Sequence, residues 1–221
     1  MSARVVVIVD GSRDDIAARL SAILGAVPRG AVAIQIRDKS LDGRPLLRLV
    51  REVLGIARPA GASVWVNDRV DVATLAGADG VHLPEAGLPV RVARTLIGDA
   101  IAIGASRHSA DSALWAASEG ANAIQLGPIF ATPGKPPVGE AVLGVRARLP
   151  GSTRLVAVGG IREPKQAEAA VAAGADAVAV IRAWTGEQPA QVVAALVAAV
   201  DAALLLHSRP VSGTHTVPTP L

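Results

Sequence analysis

Short apolar runs alternate with amphipathic stretches along nearly the whole chain. The runs are residues 5–9, 31–37, 62–66, 80–83, 100–104, 121–126, 154–158 and 176–180, each of strand length and rich in Val, Ile and Ala. Between them, residues 14–27, 44–57, 69–75, 90–97, 110–118, 163–173 and 188–206 read as helices, and a further short helix is expected ahead of residue 154. Asp10-Gly11-Ser12 reads as a turn with a helix cap, and Pro28-Arg29-Gly30 and Pro59-Ala60-Gly61 stop the helices before them. Ala76-Gly77-Ala78-Asp79-Gly80, Gly120-Ala121-Asn122-Ala123 and Ala173-Gly174-Ala175-Asp176-Ala177 recur between helix and strand, where the Gly is expected to close the helix in a left-handed cap. Eight alternating strand–helix units predict an α/β fold whose parallel sheet closes into a (β/α)8 TIM barrel, one domain over residues 1–206. An open doubly wound sheet is the weaker reading, because no Gly-x-Gly-x-x-Gly follows the first strand. Residues 207–221, rich in Ser, Thr and Pro, are expected to form a disordered tail.

Composition supports a parallel sheet covered on both faces. Apolar residues make up 51% of the chain and aromatics only 2%, so the core is filled by small branched side chains. With 221 residues the chain lies within the range of ~200–250 that such a barrel needs. The absence of Cys excludes a disulfide framework and thiol chemistry and fits a cytoplasmic protein. No apolar run reaches the ~18 residues of a membrane span, and the first run is bracketed by Arg4 and Asp10, so neither a membrane segment nor a signal peptide is expected. A diffuse net charge of +3 with so few aromatics excludes a nucleic-acid-binding pattern. It suits an anionic small substrate, or simply a solvated surface. Ala- and Val-rich exposed faces leave room for a homodimer.

In a barrel of this kind the active site lies at the C-terminal ends of the strands. The polar residues fall at such ends: Gln35, Arg37 and Lys39; Asn67 and Asp68; His82; Ser106; Thr132 and Lys135; Gly159 and Gly160; Arg182. Period two puts Gln35, Arg37 and Lys39 on one face of the second strand. An ion-pair layer would also explain them, but three long polar side chains inside an apolar barrel are costly unless a ligand occupies them. Asn67 and Asp68 read equally as caps of the next helix. His82 reads first as a satisfied core histidine, Ser106 as a site residue or a cap, and Arg107 and His108 as solvent-facing. The sixth loop leaves its strand through Gly127 and Pro128, holds the single Phe of the chain, and offers the hydroxyl of Thr132 and the ammonium of Lys135 to an anion. Gly159-Gly160 is expected to seat a phosphate on backbone N–H groups and a helix N-terminus. An anion larger than one phosphate is implied at the Gln/Arg/Lys side, with Asp68 placed to hold a bridging Mg2+. Two anion seats describe a transferase that joins a diphosphate compound to a phosphorylated acceptor.

These residues resemble the thiamin phosphate synthase and thiazole tautomerase superfamily over nearly all of residues 5–206. The motifs that carry the resemblance are Gln35-Ile36-Arg37-Asp38-Lys39, Val66-Asn67-Asp68-Arg69-Val70-Asp71, Ala78-Asp79-Gly80-Val81-His82-Leu83, Gly104-Ala105-Ser106, Gly127-Pro128-Ile129-Phe130-Ala131-Thr132 and Val156-Ala157-Val158-Gly159-Gly160-Ile161. The resemblance implies a TIM barrel in thiamin synthesis, in which pyrophosphate leaves an aminopyrimidine methyl diphosphate and the nitrogen of a thiazole phosphate attacks the resulting cation. It implies that Gln35, Arg37, Lys39, Asn67, Ser106 and Lys135 bind the pyrimidine diphosphate, with Ser106 and Lys135 as the catalytic candidates. It assigns Asp68 to Mg2+, Thr132 and Gly160 to the thiazole phosphate, and leaves Arg182 to contact phosphate where the family has Ser. The chain departs from the synthase pattern at Pro84-Glu85-Ala86-Gly87, which lacks the family's second Mg2+-ligating Asp, and at Thr132-Pro133-Gly134-Lys135, which lacks a second Thr. His82-Leu83-Pro84 resembles the tautomerase branch instead. An isomerase, or a non-catalytic paralogue that binds a phosphorylated ligand, therefore stands as the alternative to the synthase.

Overall fold

Eight parallel strands form the wall of the molecule: β1 (Val5–Val9), β2 (Val32–Ile36), β3 (Ser63–Asn67), β4 (Gly80–Leu83), β5 (Ala102–Arg107), β6 (Ala123–Leu126), β7 (Arg154–Val158) and β8 (Ala177–Val180). They pair in sequence order, and β1 closes on β8 with Val5 opposite Val178, so the sheet is a barrel without edges. The computed structural model describes residues 3–11 and 13–207; Ser12 of the expected cap and the tail beyond His207 lie outside them. Helices α1 (Ile16–Gly25), α2 (Gly43–Ala57), α3 (Val70–Ala76), α4 (Val90–Ile97), α5 (Ala110–Ser118), α6 (Pro164–Ala172) and α7 (Pro189–His207) surround the sheet, and a 3-10 stretch, Glu140–Arg148, takes the helical place between β6 and β7. Gly77 closes α3 in the left-handed region, at φ 69°, as its position between helix and strand predicts.

The strand period of two divides the apolar residues between two cores. Val5, Val7, Val9, Ile34, Ile36, Val64 and Val66 face outward and are buried under the helices. Val6, Ile8, Ala33, Trp65, Ala123, Val156, Ala177 and Ala179 face inward and fill the barrel. Trp65 is the one large group among them, and it fits because its neighbours have no side chain. A Cβ at Gly80 would stand 2.6 Å from the indole Cζ3, and one at Gly104 would stand 3.3 Å from the same atom. This pairing of large with small closes the barrel below the polar layer described next.

Several sequence expectations shift here. β2 ends at Ile36, so Arg37 and Lys39 leave the strand and are exposed at the rim, while Gln35 alone of the three points into the barrel, 2% exposed. The face expected to carry all three is thus split, which spares the barrel two buried cations. β5 runs to Arg107 rather than stopping at residue 104, which puts Ser106 on the strand. The last helix includes His207, the first residue of the expected tail. That helix also meets the length and hydropathy of a membrane-crossing segment, contrary to the reading of the runs; yet Val193, Leu196, Val197, Val200 and Ala203 are buried, as in a core helix.

Candidate active site

The floor of the site is a polar layer above Trp65. Gln35 on β2 and Gln125 on β6 are 2% and 7% exposed, and the Gln125 Nε2 donates to Gln35 Oε1 at 2.5 Å. Gln35 Nε2 in turn donates to Asn67 Oδ1 at 3.4 Å. On the other side of the floor, His82 Nε2 and Ser106 Oγ are 2.8 Å apart. Burial pushes the His82 imidazole down to about 3, and the Arg107 and Arg37 charges add to the effect, so the ring is neutral. His82 is therefore a satisfied core histidine whose partner is Ser106. Ser106 does not cap α5; Ser109 does, accepting from the backbone N–H of Ser112. Asn67 accepts from Gln35, and neither Asn67 nor Asp68 caps α3, where Arg69 holds the N-cap position without a side-chain capping bond.

Above the floor lies a cleft of about 560 Å³, bordered by Arg37, Lys39, Asn67, Asp68, Arg69 and Gly87. The β2–α2 loop that presents Arg37 and Lys39 is held by the residue between them. Asp38 Oδ1 accepts from the backbone N–H of Ser40 at 2.6 Å, from its hydroxyl at 2.7 Å, and from the Leu41 N–H at 3.0 Å. Its Oδ2 accepts from the Gly11 N–H at 2.6 Å, which ties the loop to the end of β1. Burial raises the Asp38 pKa, but the bonds from Ser40, Leu41 and Gly11 outweigh it and hold the carboxyl below its ordinary value.

Asp68 sits in the left-handed region, φ 65°, the sole non-Gly residue among those described with positive φ. Its N–H donates to the His82 carbonyl at 2.8 Å, and its carbonyl accepts from Val70 N–H at 3.0 Å. Asp tolerates this conformation better than most residues, and such strain concentrates at ligand sites. Across from it, a Cβ at Gly87 would lie 3.0 Å from Asp68 Oδ1. Position 87 thus faces the carboxylate, and no second carboxylate grows from it. Among the described residues, no three His, Cys, Asp or Glu side chains cluster as a metal cage. One exposed carboxylate beside Arg37 and Lys39 fits a Mg2+ held chiefly by phosphate oxygens and water, since that ion commonly takes only one or two protein carboxylates.

The other half of the mouth is built by the loops after β6, β7 and β8. The chain leaves β6 through a cis Gly127–Pro128 bond, and Ile129 N–H and Phe130 N–H donate to the Val158 and Gly159 carbonyls at 2.9 and 3.1 Å. Thr132 and Lys135 face each other across a small bridge, with Lys135 N–H donating to the Thr132 carbonyl at 3.2 Å. Gly159 and Gly160 adopt φ 97° and 75°, and Cβ atoms there would stand 2.5 Å from Pro128 Cα and 2.6 Å from Phe130 Cβ. Both glycines are therefore required by backbone shape and by the close approach of the sixth loop. Thr132, Gly159, Gly160 and Arg182 border one niche, and Ser106, His108, Gln125 and Lys135 line the adjoining space. Beside the diglycine, at the start of α6, Gln166 Oε1 accepts from the Arg162 and Glu163 N–H groups at 2.8 and 3.2 Å.

Arg107 and His108 are not simply solvent-facing. Arg107 is half-buried, and burial lowers its pKa against the opposing pull of Glu85. Its Nη1 donates to the Ser106 carbonyl at 2.6 Å. His108 Nδ1 bonds the Gly127 carbonyl, and its Nε2 lies 3.5 Å from Glu85 Oε2, linking the loops after β4, β5 and β6. Sequence reasoning missed Gln125 and the roles of Asp38, Arg107 and His108. The inward parity of β6 was the available signal for Gln125, because Ala123 and Gln125 share a face.

A closed parallel barrel whose mouth gathers cations, amides and a tight diglycine defines an enzyme of small phosphorylated substrates. Residues 5–184 match the family model described as thiamine monophosphate synthase. A thiamine-phosphate synthase of Methanoculleus marisnigri is 47% identical over 167 residues, covering 73% of this chain and 78% of that protein. One of Moorella thermoacetica is 41% identical, covering 76% and 80%. Among solved structures, a thiamine phosphate pyrophosphorylase from Pyrococcus furiosus superimposes with TM-score 0.81 at 30% identity, covering 91% of this chain and 96% of that one. The chain belongs to the thiamine monophosphate synthase family, and its activity is that of a transferase of thiamin biosynthesis.

Proposed function

We propose that the two halves of the mouth hold the two substrates: an aminopyrimidine methyl diphosphate over the β2–β4 side and a thiazole phosphate over the β6–β8 side. The observation that carries this reading is the presence of two separate clefts around one floor, one lined by Arg37, Lys39 and Asp68 and one by Thr132, Gly160 and Arg182. In the reaction, the bond from the pyrimidine methylene carbon to the diphosphate oxygen breaks, and pyrophosphate takes the electron pair. The thiazole nitrogen lone pair then forms the new C–N bond. No proton has to move, so the site must stabilise charge and align two rings rather than supply a base. This suits a floor whose one histidine is neutral and already bonded to Ser106.

Arg37, Lys39 and Lys135 neutralise the departing pyrophosphate, and the Ser106 hydroxyl donates to it while the His82 Nε2–H donates to Ser106 Oγ from below. Gln35 and Asn67 hold the pyrimidine edge. Thr132, the Gly160 backbone and Arg182 hold the thiazole phosphate. Asp68 is the residue that would hold Mg2+, which supplies additional positive charge at the diphosphate. The Cys-free sequence fits a cytoplasmic setting for the reaction. Asp68→Ala, assayed across a Mg2+ titration, is expected to lose turnover and the metal dependence with it; turnover equal to wild type at every Mg2+ concentration would remove Asp68 from that role.

A further inference from the structure

We infer that Gln125 is a positioning residue for the heterocycle, which holds and couples the amide of Gln35 across the barrel axis. The inference rests on the substrate assignment above but concerns a residue that assignment does not use. β2 and β6 stand on opposite sides of the eight-stranded wall. Their two amides meet because the inward residues around them are small, with Ala33 one turn of the pleat below Gln35 and Ala123 below Gln125. A primary amide can turn over with almost no change of shape, which exchanges its donor and acceptor ends. Gln35 alone on the floor would present either end to a ligand.

Gln125 couples that freedom to its own, because two amides joined by one hydrogen bond can turn over only together. Its Nε2 donates to Gln35 Oε1 at 2.5 Å, and Gln35 Nε2 then points toward Asn67 Oδ1 at 3.4 Å. The second bond is long, so the Gln35 Nε2 is free to be shared with a ligand. Gln125 itself borders both the inner cavity and the mouth beside Ser106 and Lys135. With its amino end committed to Gln35, it offers Oε1 as an acceptor. In this arrangement the floor presents an acceptor beside donors, and a ligand of matching order holds the paired amides in it. A planar heteroaromatic ring with a ring nitrogen next to an exocyclic amino group carries the complementary order of acceptor and donor.

The test is steady-state kinetics of the whole chain with Gln125→Met and Gln125→Glu, with KM measured separately for the two substrates. Met keeps length and volume but cannot bond. It is expected to raise KM for the aminopyrimidine diphosphate about tenfold, the loss of one buried hydrogen bond, while KM for the thiazole phosphate stays within about twofold. Glu can only accept when ionised, so it turns the Gln35 amide over and does not rescue the KM. Unchanged pyrimidine KM in Gln125→Met, or an equal rise in both KM values, would reduce Gln125 to packing and overturn the inference alone. A wild-type chain that turns over neither substrate would overturn the substrate assignment and this inference with it.

Discussion

Removing the Asp38 carboxylate should disable the diphosphate side of the mouth without touching a residue assigned to substrate. Asp38→Ala deletes four accepted bonds, three on Oδ1 and one on Oδ2, at 2.6–3.0 Å. The Ser40 donors are exposed and can turn to water, so they contribute little net. Counting mainly the Gly11 and Leu41 N–H groups, the loss is about 2 kcal/mol at most. For a chain of this size that is ~4–8 °C in Tm if the loss is global, and less if only the loop loosens. The functional effect is larger in proportion, because Arg37 and Lys39 flank the deleted group. A loss of ~1.4 kcal/mol in their combined hold on the diphosphate is tenfold in KM. Asp38→Asn separates the two oxygens. Its carbonyl can keep the three Oδ1 bonds, but its amino group opposes the Gly11 N–H, so it should show part of the KM rise and free the loop from β1. The sign with pH follows from a folded-state pKa held below the unfolded one: the contribution is present above the unfolded pKa and is lost as pH falls through the folded value. Substrate-dependent kinetics and thermal melts at pH 7.5 are the assay. A pyrimidine diphosphate KM unchanged in Asp38→Ala would refute the claim that this carboxylate presents the two cations.

Other consequences are equally specific. Lys135→Ala should weaken diphosphate binding by about 1.5 kcal/mol, the lower end for a charge-assisted contact because the side chain is exposed; an unchanged KM would return the sixth loop to a plain surface turn. Gly160→Ala must place a methyl 2.6 Å from Phe130 Cβ at φ 75°, so a loss of more than ~2 kcal/mol in stability and a raised thiazole phosphate KM are expected; a melt equal to wild type would contradict the packing described. His82 binds a proton in the unfolded chain below its unfolded pKa near 6.5 but in the folded chain only near 3, so stability should rise with pH across that interval and level off above it. His82→Gln should flatten the part of that slope between pH 5 and 6.5, where few carboxylates titrate; a slope identical to wild type would mean the imidazole is not held neutral.

The barrel was legible because its strands are apolar runs of the right length, cut by Gly, Pro and Asp, and because both faces of a parallel strand are buried. The mouth was legible through parity and position alone: Thr132, Gly160 and Arg182 fall where strand ends must lie, and they meet there. Strand ends themselves were less so. Gln35-Ile36-Arg37 continues the alternation of β2, yet β2 ends at Ile36: the Arg37 N–H still donates to the Val9 carbonyl at 2.7 Å, and Asp38 then bonds Gly11 instead of extending the strand. Gln125 was hidden because only the inward parity of β6 pointed to it, and its partner lies 90 residues away in sequence. Arg107 and His108 looked solvent-facing because the residues that engage them, Glu85 and Gly127, belong to other loops.

The most direct test of the account is an incubation of the purified chain with aminopyrimidine methyl diphosphate and thiazole phosphate, with and without Mg2+, followed by chromatography. Thiamin phosphate and pyrophosphate formed in equal amounts, and only with the metal, is the predicted result. Both substrates recovered intact in the presence of Mg2+ would contradict it.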